Sequence, residues 1–320
     1  MRKAYIIWII IASALIICGS ILFGGVMTML NWDFSKLSTT KYVTNEHILD
    51  DSFSDITIST DTADIEFIAS DDGNVRVICH EEVNAYHSVS VDSGELIIKL
   101  KDEKKWYEHI GIGFGTSKIT VYLPAGEYSS LCVSGSTGDI DIPESFSFGD
   151  ATVSLSTGDV SFFAEKCEDV SVTTSTGSIN AKGVACQSLS LSVSTGKVTA
   201  SEIRCSKSFS VNVSTGLTEL SDIECESFLS EGSTGDLKAK SLICKEILSA
   251  ERSTGDVLLE GCDGGDVKIT TDTGDVRGTL LSDKVFITSS DTGKVSVPKT
   301  TSGGKCEITT DTGDIVIEIK

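Results

Sequence analysis

The sequence is poor in positive charge and in histidine. It has 26 Lys and Arg against 47 Asp and Glu, which gives a formal net charge of −21. Phosphate and anionic lipid headgroups repel so acidic a surface, and no basic patch is present, so nucleic acid is a poor partner and direct docking on lipid is equally unfavourable. The chain has four histidines, all of which precede the repeats described below: His47, His80, His87 and His109.

Several motifs that would indicate a particular chemistry are also missing. The sequence has no CxxC pair and no Cys/His cluster, so it predicts no metal site. It lacks the Gly-Gly-x-Gly-x-Asp nonapeptide of calcium β-rolls and the Leu/Asn consensus of leucine-rich repeats. The repeats have almost no insertions, whereas enzymes built on β-helices carry their catalytic groups where one face breaks the repeat. We therefore predict no catalytic residue and no bound cofactor.

The dominant feature of the sequence is a Ser/Asp-Thr-Gly tripeptide that recurs ten times at a spacing of 19 or 20 residues. The glycines are Gly138, Gly158, Gly177, Gly196, Gly216, Gly235, Gly255, Gly274, Gly293 and Gly313. Apolar residues alternate with polar ones on both sides of each glycine, as at Val170 and Val172 or at Val160 and Phe162, and this alternation is typical of strands with one buried face. Each repeat is predicted to be a strand, a turn in which glycine adopts a positive φ, and a second strand.

A two-strand unit of about 20 residues buries its apolar face only by stacking on its neighbours. The sequence therefore predicts an all-β fold: a single-stranded β-solenoid of 19–20-residue coils, paired in parallel about 4.8 Å apart and preceded by one transmembrane helix. We assign residues 1–3 to a cytoplasmic stub, 4–30 to the transmembrane helix, 31–126 to an irregular β cap region and 127–320 to the repeat array.

The cap region has strand patterns without the strict repeat. Asp61-Thr62-Ala63-Asp64-Ile65 looks like a degenerate copy of the turn. Strands are predicted at Ile56–Ser59, Val75–Cys79, Leu96–Leu100 and Ile119–Leu123. The segment Asp102–Gly115 interrupts the pattern. It is predicted to cover the open end of the core, or to form a contact loop through its aromatic and histidine side chains: Trp106, Tyr107, His109 and Phe114.

The cysteines follow the same period as the glycines, so they fall at one equivalent position in successive coils. They are Cys167, Cys186, Cys205, Cys225, Cys244 and Cys262. Buried reduced thiols are the favoured interpretation, because free cysteine is among the most buried residue types. Disulfides between adjacent coils and a thiolate metal site remain alternatives.

Aspartate follows the turn glycine in six repeats: Asp139, Asp159, Asp236, Asp256, Asp275 and Asp314. A column of carboxylates about 4.8 Å apart would repel itself, and calcium would relieve that repulsion. Calcium is therefore an alternative to the absence of any cofactor, although Ser178, Lys197, Leu217 and Lys294 interrupt the column. The Asp-Thr-Gly triplets match the aspartic-protease motif, but the repeat period explains them without that chemistry.

The chain begins with Met1-Arg2-Lys3 and an uncharged, almost wholly apolar stretch from Ala4 to Leu30, which is long enough to span a bilayer. The two basic residues predict a cytoplasmic N-terminus, with residues from about Asp33 onward facing outward. A cleaved signal peptide is the alternative. At the other end of the chain, the alternating strand Ile315–Ile319 is predicted to leave an unpaired edge. Such an edge invites a partner or end-to-end self-association by strand addition.

Taken together, the apolar N-terminal segment, the Asp61-Thr62-Ala63-Asp64 turn, Lys105-Trp106-Tyr107-Glu108-His109-Ile110-Gly111 and the repeated turn resemble a known family. It is the putative-adhesin, β-strand-repeat family of unknown function from Gram-positive bacteria. The resemblance implies a membrane-anchored protein linked to adhesion or envelope stress and implies no catalytic residue. We expect a non-catalytic scaffold or interaction module at the cell envelope that contacts an unknown envelope protein or glycan. A carbohydrate-active enzyme on a β-helix and an envelope-stress sensor component are the alternatives.

Overall fold

A computed structural model describes residues 2–37, 40–106 and 115–320. The chain forms two compact units. The first comprises Met1–Val43, Glu82–Ala85 and Asp102–Gly115. The second comprises Thr44–Glu81, Tyr86–Lys101 and Thr116–Lys320, and it contains the repeats.

The first unit contains the apolar N-terminal segment, which is one helix. This helix, α1, spans Arg2–Met29, and a 3₁₀ turn follows at Phe34–Leu37. Its stretch Tyr5–Met29 contains an 18-residue window with a mean hydropathy of 2.8 and is long and apolar enough to cross a membrane. In the same unit the Tyr42 hydroxyl donates to the carbonyl oxygen of Gly115 at 2.8 Å.

The remaining chain is almost entirely strand. The strands before the first complete repeat are β1 (Tyr42–Leu49), β2 (Asp55–Ser59), β3 (Asp64–Ala69), β4 (Val75–Glu82), β5 (Ala85–Asp92), β6 (Glu95–Asp102) and β7 (Lys118–Leu123). The first strands of the repeats are β8 (Gly126–Thr137), β9 (Ile140–Ile142), β10 (Phe146–Thr157), β11 (Val160–Phe162), β12 (Asp169–Lys182) and β13 (Ala185–Cys186). Three long strands follow: β14 (Ser188–Cys205), β15 (Ser208–Thr234) and β16 (Leu237–Thr254). Of these, β14 and β15 each continue through a turn glycine without interruption. The last strands are β17 (Val257–Cys262), β18 (Asp266–Thr273), β19 (Val276–Leu280), β20 (Lys284–Thr292), β21 (Val295–Ser296), β22 (Gly304–Thr312) and β23 (Ile315–Ile319).

These strands form a β-solenoid of about ten turns with coils of about 20 residues, as the sequence predicted. Neighbouring coils pair in parallel and in register, so that Gly177 lies opposite Gly196 and Gly196 lies opposite Gly216. The alternating apolar residues point inward and form one continuous core along the stack. Because the register repeats, residues of one type stack into columns, and these columns define the surfaces of the solenoid.

The corner at the repeated turn depends on glycine for two reasons. Nine of the ten corner glycines have φ between 132° and 158°, a region that residues with a side chain rarely adopt, and Gly293 is not among them. A Cβ atom placed on Gly235 would also overlap the carbonyl oxygen of Gly216, the corner glycine of the preceding coil. The sequence analysis identified the first reason only. The second arises from close backbone stacking between coils.

The five coils from that of Gly177 to that of Gly255 have a third face and a second type of corner, neither of which the sequence analysis found. The third face is short, and on it Cys186 pairs with Cys205 and Cys225 pairs with Cys244. The residues that turn the chain onto this face have a left-handed backbone, with φ between 52° and 72°: Gly183, Glu202, Asp222, Ser241 and Gly261. Three of these five residues are not glycine, so no glycine period marks this corner in the sequence.

The last two coils stack in the reverse of their order along the chain. In the coil that contains Gly313, β22 pairs with β18 on one side and with β20 on the other, and β23 pairs with β19 and with β21. The prediction that Ile315–Ile319 forms an unpaired edge is therefore wrong. Among the strands that the structure describes, β20 and β21 are instead paired on one side only.

Side-chain composition gives the physical reason for this reversal. The Gly313 coil presents Cys306, Ile308 and Ile315 inward, all fully buried. The Gly293 coil offers Thr288 at the position opposite Ile308. Placing the more apolar coil inside the stack and the more polar coil at its end buries more apolar surface, which lowers the free energy of the folded state.

The opposite end of the stack has the same reversal. Strand β2 lies between β6 and β8, and β3 lies between β7 and β9. The degenerate turn occupies the matching corner, where Thr62 pairs in parallel with Thr137. Strand β4 then pairs antiparallel with β7, and β1 pairs with β4. Two coils thus precede residue 127, at which the sequence analysis placed the start of the repeat array.

Replacing Gly235 by alanine tests the corner. We expect Gly235→Ala to lower the free energy of unfolding by about 2–4 kcal/mol, because a disfavoured φ adds to the overlap with the Gly216 carbonyl. Gly183→Ala is the matched control, since Gly183 has φ 72° but nothing within 4 Å of an added Cβ. It should cost only about 1–2 kcal/mol. Urea unfolding followed by circular dichroism measures both, and equal losses would contradict a steric role for the stacked backbone.

Candidate functional site

Five of the six repeat cysteines, Cys167, Cys186, Cys205, Cys225 and Cys244, form one column on the third face of the solenoid. The sixth, Cys262, lies opposite Leu242 and falls outside this column, contrary to the prediction from the sequence period. All six are buried, from fully buried Cys262 to Cys186, which is 8% exposed. All are free thiols. The Sγ atoms of Cys186 and Cys205 are 3.2 Å apart, and those of Cys225 and Cys244 are 3.5 Å apart. The parallel register brings these thiols into contact without covalent bonds.

Burial keeps most of these thiols protonated. It raises the pKa of Cys167 to about 12 and that of Cys262 to about 11. A hydrogen bond with Cys186, together with burial, raises the pKa of Cys205. In the second close pair, the hydrogen bond from Cys244 lowers the pKa of Cys225 despite its burial, while the pKa of Cys244 rises. Because a nucleophilic cysteine must be a thiolate, the raised pKa values indicate that Cys167, Cys205, Cys244 and Cys262 are packing residues.

A shallow groove of about 580 Å³ follows the cysteine column. Residues of both charges line it, among them Lys166, Glu168, Arg204 and Glu224. The Arg204 Nε and a carboxylate oxygen of Glu224 are 3.9 Å apart, and both side chains are largely exposed. Such exposed pairs contribute little to stability. The groove is therefore a mixed-charge surface over a row of buried thiols.

The aspartates after the corner glycines link successive coils. A carboxylate oxygen of Asp139 accepts the backbone N–H of Asp159 at 2.8 Å, and Asp159 accepts that of Ser178 at 2.7 Å. Asp275 accepts the N–H of Asp314 at 2.7 Å, across the reversed coils. This hydrogen bond, helped by Arg277, lowers the pKa of Asp275. Hydrogen bonding between coils thus gives the aspartates a role that the sequence analysis, which considered calcium, did not foresee.

The expected contact loop lies mostly outside the described residues. Trp106 is described and its side chain is 77% exposed. Tyr107, His109 and Phe114 fall within the segment 107–114, which the structure does not describe.

The structure brings together three residues that the sequence analysis did not single out. Cys79 and Glu81 lie on β4 and His87 lies on β5, and each offers a potential metal-ligating atom within 4.8 Å of the others. All three are buried. A carboxylate oxygen of Glu81 lies 2.7 Å from His87 Nδ1 and accepts the His87 backbone N–H at 2.6 Å. The spacing matches no short metal motif, so only the pairing of distant strands could reveal this cluster.

The reactivity of the thiols tests the cysteine column. With the native full-length protein in detergent, we expect iodoacetamide to modify the exposed Cys132 and to leave the six buried repeat thiols, the five of the column and Cys262, unmodified. Unfolding without reductant should then make all six reactive. Cys132→Ser is the control, because it removes an exposed thiol and leaves the column intact. Column cysteines that react in the native protein would contradict their burial, and thiols still missing after unfolding would favour disulfides between coils.

Comparisons with known proteins support the fold. A solved structure described as a "putative adhesin" from Parabacteroides distasonis has a TM-score of 0.50 at 10% identity and covers 87% of this chain and 98% of its own. A "putative lipid binding protein" from the same organism has a TM-score of 0.49 at 17% identity, covering 88% and 98%. Neither description names an enzymatic activity. The first likeness, at such low identity, extends to the fold alone. No curated protein matches the sequence.

A protein-family model also matches part of the sequence. The model described as Toastrack DUF4097 matches residues 53–208, which begin just before β2 and include the reversed N-terminal coils, the cysteines from Cys79 to Cys205 and the first four repeated turns. The family has no assigned function. The resemblance drawn from the repeated turn is thereby confirmed, and this part of the chain belongs to the Toastrack DUF4097 family.

Proposed function

We propose that this protein is a membrane-anchored β-solenoid that acts outside the cytoplasm as a non-catalytic scaffold or interaction module of the cell envelope. The observation that carries the proposal is the unbroken stack of coils, in which the repeated side chains serve packing and coil-to-coil hydrogen bonds. A stack of this kind displays a long, regular, acidic surface, and repeat proteins use such extended surfaces for binding.

The N-terminal helix supports the membrane anchor. None of the residues in the most apolar 18-residue window of Tyr5–Met29 is buried. Tyr5, Leu15 and Ile21 are each more than two thirds exposed. A helix this apolar needs a bilayer to cover it, and Arg2 and Lys3 favour a cytoplasmic N-terminus. In this arrangement the solenoid faces outward.

The chemistry of the surface supports a non-catalytic role. Glycosidases need two carboxyl groups that flank a sugar and differ in protonation. The turn aspartates repeat along one face, and several use an oxygen to accept a backbone amide. The cysteine column offers mainly protonated thiols. An envelope protein or a glycan that recognises a repeated polar surface is the kind of partner that fits this arrangement.

Labelling of Cys132 in intact cells tests the location. A membrane-impermeant maleimide should modify Cys132, which is exposed on β8, and Cys132→Ser should abolish that signal. The full-length protein should also remain with the membrane after carbonate extraction and keep its N-terminal helix by intact mass. Labelling only after the cells are made permeable would contradict the topology. A shortened, released protein would show that the helix is a cleaved signal.

We further propose that the free edge of the last coil is an interaction surface for a second copy of the chain. Strand β20 has one unpaired edge among the described strands and exposes Val285 and Ile287, whereas β15 and β16 are paired on both sides. At the other end of the stack β4 already occupies the edge of β7. When two copies add through this same end, the result is a closed two-fold dimer and not a fibre.

Sedimentation of the full-length protein across a range of concentrations tests this interface. We expect a dimer for the wild-type protein and a monomer for Ile287→Lys, because the charge would be placed against the unpaired edge. Leu229→Lys is the matched control, since Leu229 is 41% exposed on the internal strand β15. It should dimerise like the wild type. Monomers for all three proteins would contradict the interface, and larger polymers would contradict a closed dimer.

A further inference from the structure

We propose that Cys79, Glu81 and His87 form a binding site for one zinc ion, or for a divalent ion of similar preference, which ties β4 to β5 at the N-terminal end of the coil stack. Neither the family nor the compared structures assign a metal to this chain. The proposal is independent of the scaffold function, because it concerns residues outside the repeats.

The chemistry of the three ligands is that of zinc. Thiolate, imidazole and carboxylate are the groups that bind Zn²⁺ in proteins, with bonds of about 2.0–2.3 Å. Tetrahedral geometry at these bond lengths separates the ligand atoms by about 3.3–3.8 Å. In the structure the three ligating atoms lie within 4.8 Å of one another. Small side-chain movements are therefore enough to close the site, and a water molecule bound together with the ion would complete the tetrahedron.

The backbone explains why the three residues converge. Cys79 and Glu81 are two residues apart on β4, so their side chains point to the same, buried face of the strand. The chain turns at Val83 and Asn84 and returns as β5, which carries His87. The three side chains are 0%, 1% and 2% exposed, so bulk water does not compete for the ligands.

Two further side chains hold the ligands in position. His87 Nε2 lies 2.9 Å from the Thr60 hydroxyl, and the Asn45 amide donates to the second oxygen of Glu81 at 2.7 Å. Metal-binding histidines commonly use the other ring nitrogen in such a hydrogen bond, and ligating carboxylates are held in the same way. With the metal on Nδ1, Thr60 would fix the orientation of the ring, and Asn45 would fix that of the carboxylate. This supporting network distinguishes the cluster from a chance grouping.

The charges of the site also balance. A thiolate and a carboxylate carry two negative charges, which one Zn²⁺ ion neutralises, and the imidazole remains neutral. On binding, zinc takes the place of the Cys79 thiol proton, which leaves to solvent. The His87 proton moves from Nδ1, where it faces Glu81, to Nε2, where the Thr60 hydroxyl accepts it. A buried site needs this neutrality because an uncompensated charge in a low-dielectric interior is strongly unfavourable.

Cobalt provides a spectroscopic test of metal binding. If the three buried residues only stabilised the fold, no cobalt band would appear. The full-length protein in detergent is stripped of metal under reducing conditions and titrated with Co²⁺. We expect one equivalent to produce a thiolate-to-cobalt charge-transfer band with the visible bands of tetrahedral cobalt, and Zn²⁺ to abolish both. Cys79→Ser should lose the charge-transfer band. Cys205→Ser is the matched control, because it removes a buried thiol of the column and should keep the band.

Two further variants distinguish a loss of metal binding from a loss of the folded structure. His87→Gln retains the thiol and should weaken binding and alter the visible bands, with strand content checked by circular dichroism. Asn45→Ala should weaken cobalt binding by about 10- to 100-fold while leaving the band at saturation. Absence of a stoichiometric band in the wild-type protein would overturn the proposal. A band that survives Cys79→Ser and disappears in Cys205→Ser would also overturn it and would assign metal binding to the cysteine column.

Discussion

The stacking of one corner glycine on the carbonyl oxygen of the next is the constraint on which the rest of the structure depends. At this corner the backbones of successive coils approach so closely that even a methyl group does not fit, as the overlap of a Cβ on Gly235 with the Gly216 oxygen shows. The close approach fixes the register of the flanking strands. Once the register is fixed, every residue type with the same period becomes a column, which is how the cysteine column and the aspartate hydrogen bonds arise.

At both ends of the solenoid, the first or last coil along the chain lies inside the stack and not at its end. A terminal coil lacks a neighbour on one side, and chain ends that are paired on one side only tend to fray. Here β2 belongs to the first coil along the chain and β23 to the last coil along the chain. Each of these two strands lies between two other strands. The outermost coils contain β6 and β7 at one end and β20 and β21 at the other. In the sequence, each of these coils is followed and preceded by other strands of the solenoid. In the crossover to the last coil, the Lys284 ammonium lies 2.8 Å from a carboxylate oxygen of Asp263, which anchors the connection.

The period of the sequence was enough to predict the strands, the main corner and the solenoid, because a period of two within a period of about 20 admits few other folds. It was not enough to predict the third face, whose corner uses Glu202, Asp222 or Ser241 as readily as glycine. Nor could it predict the order of the last coils, since the spacing from Gly274 to Gly293 and on to Gly313 is regular. That order depends on the relative polarity of whole coils. The grouping of Cys79 with His87 depends on strand pairing, for which the sequence has no motif.

Departures from a column are tolerated when a neighbouring coil compensates for them. Thr174 and Thr271 occupy one inward position near the corner, and each hydroxyl donates to the carbonyl oxygen of the corner glycine of the preceding coil. In the coil that precedes that of Thr271 the equivalent residue is Arg252, which is buried; burial lowers its pKa to about 10. Gly232 lies opposite Arg252 and leaves room for it, and the guanidinium donates to Ser230 Oγ and to the Glu251 carbonyl at 2.7 Å.

Substitutions inside the stack are therefore coupled to the coil on either side, which limits the chemistry that the repeats can acquire. Residues outside the repeats, such as the hairpin residues Cys79, Glu81 and His87, are not bound by this coupling. They can acquire a ligand without disturbing the register of the coils. For this reason a specific binding chemistry is more readily accommodated at the irregular ends of the solenoid than along its regular faces.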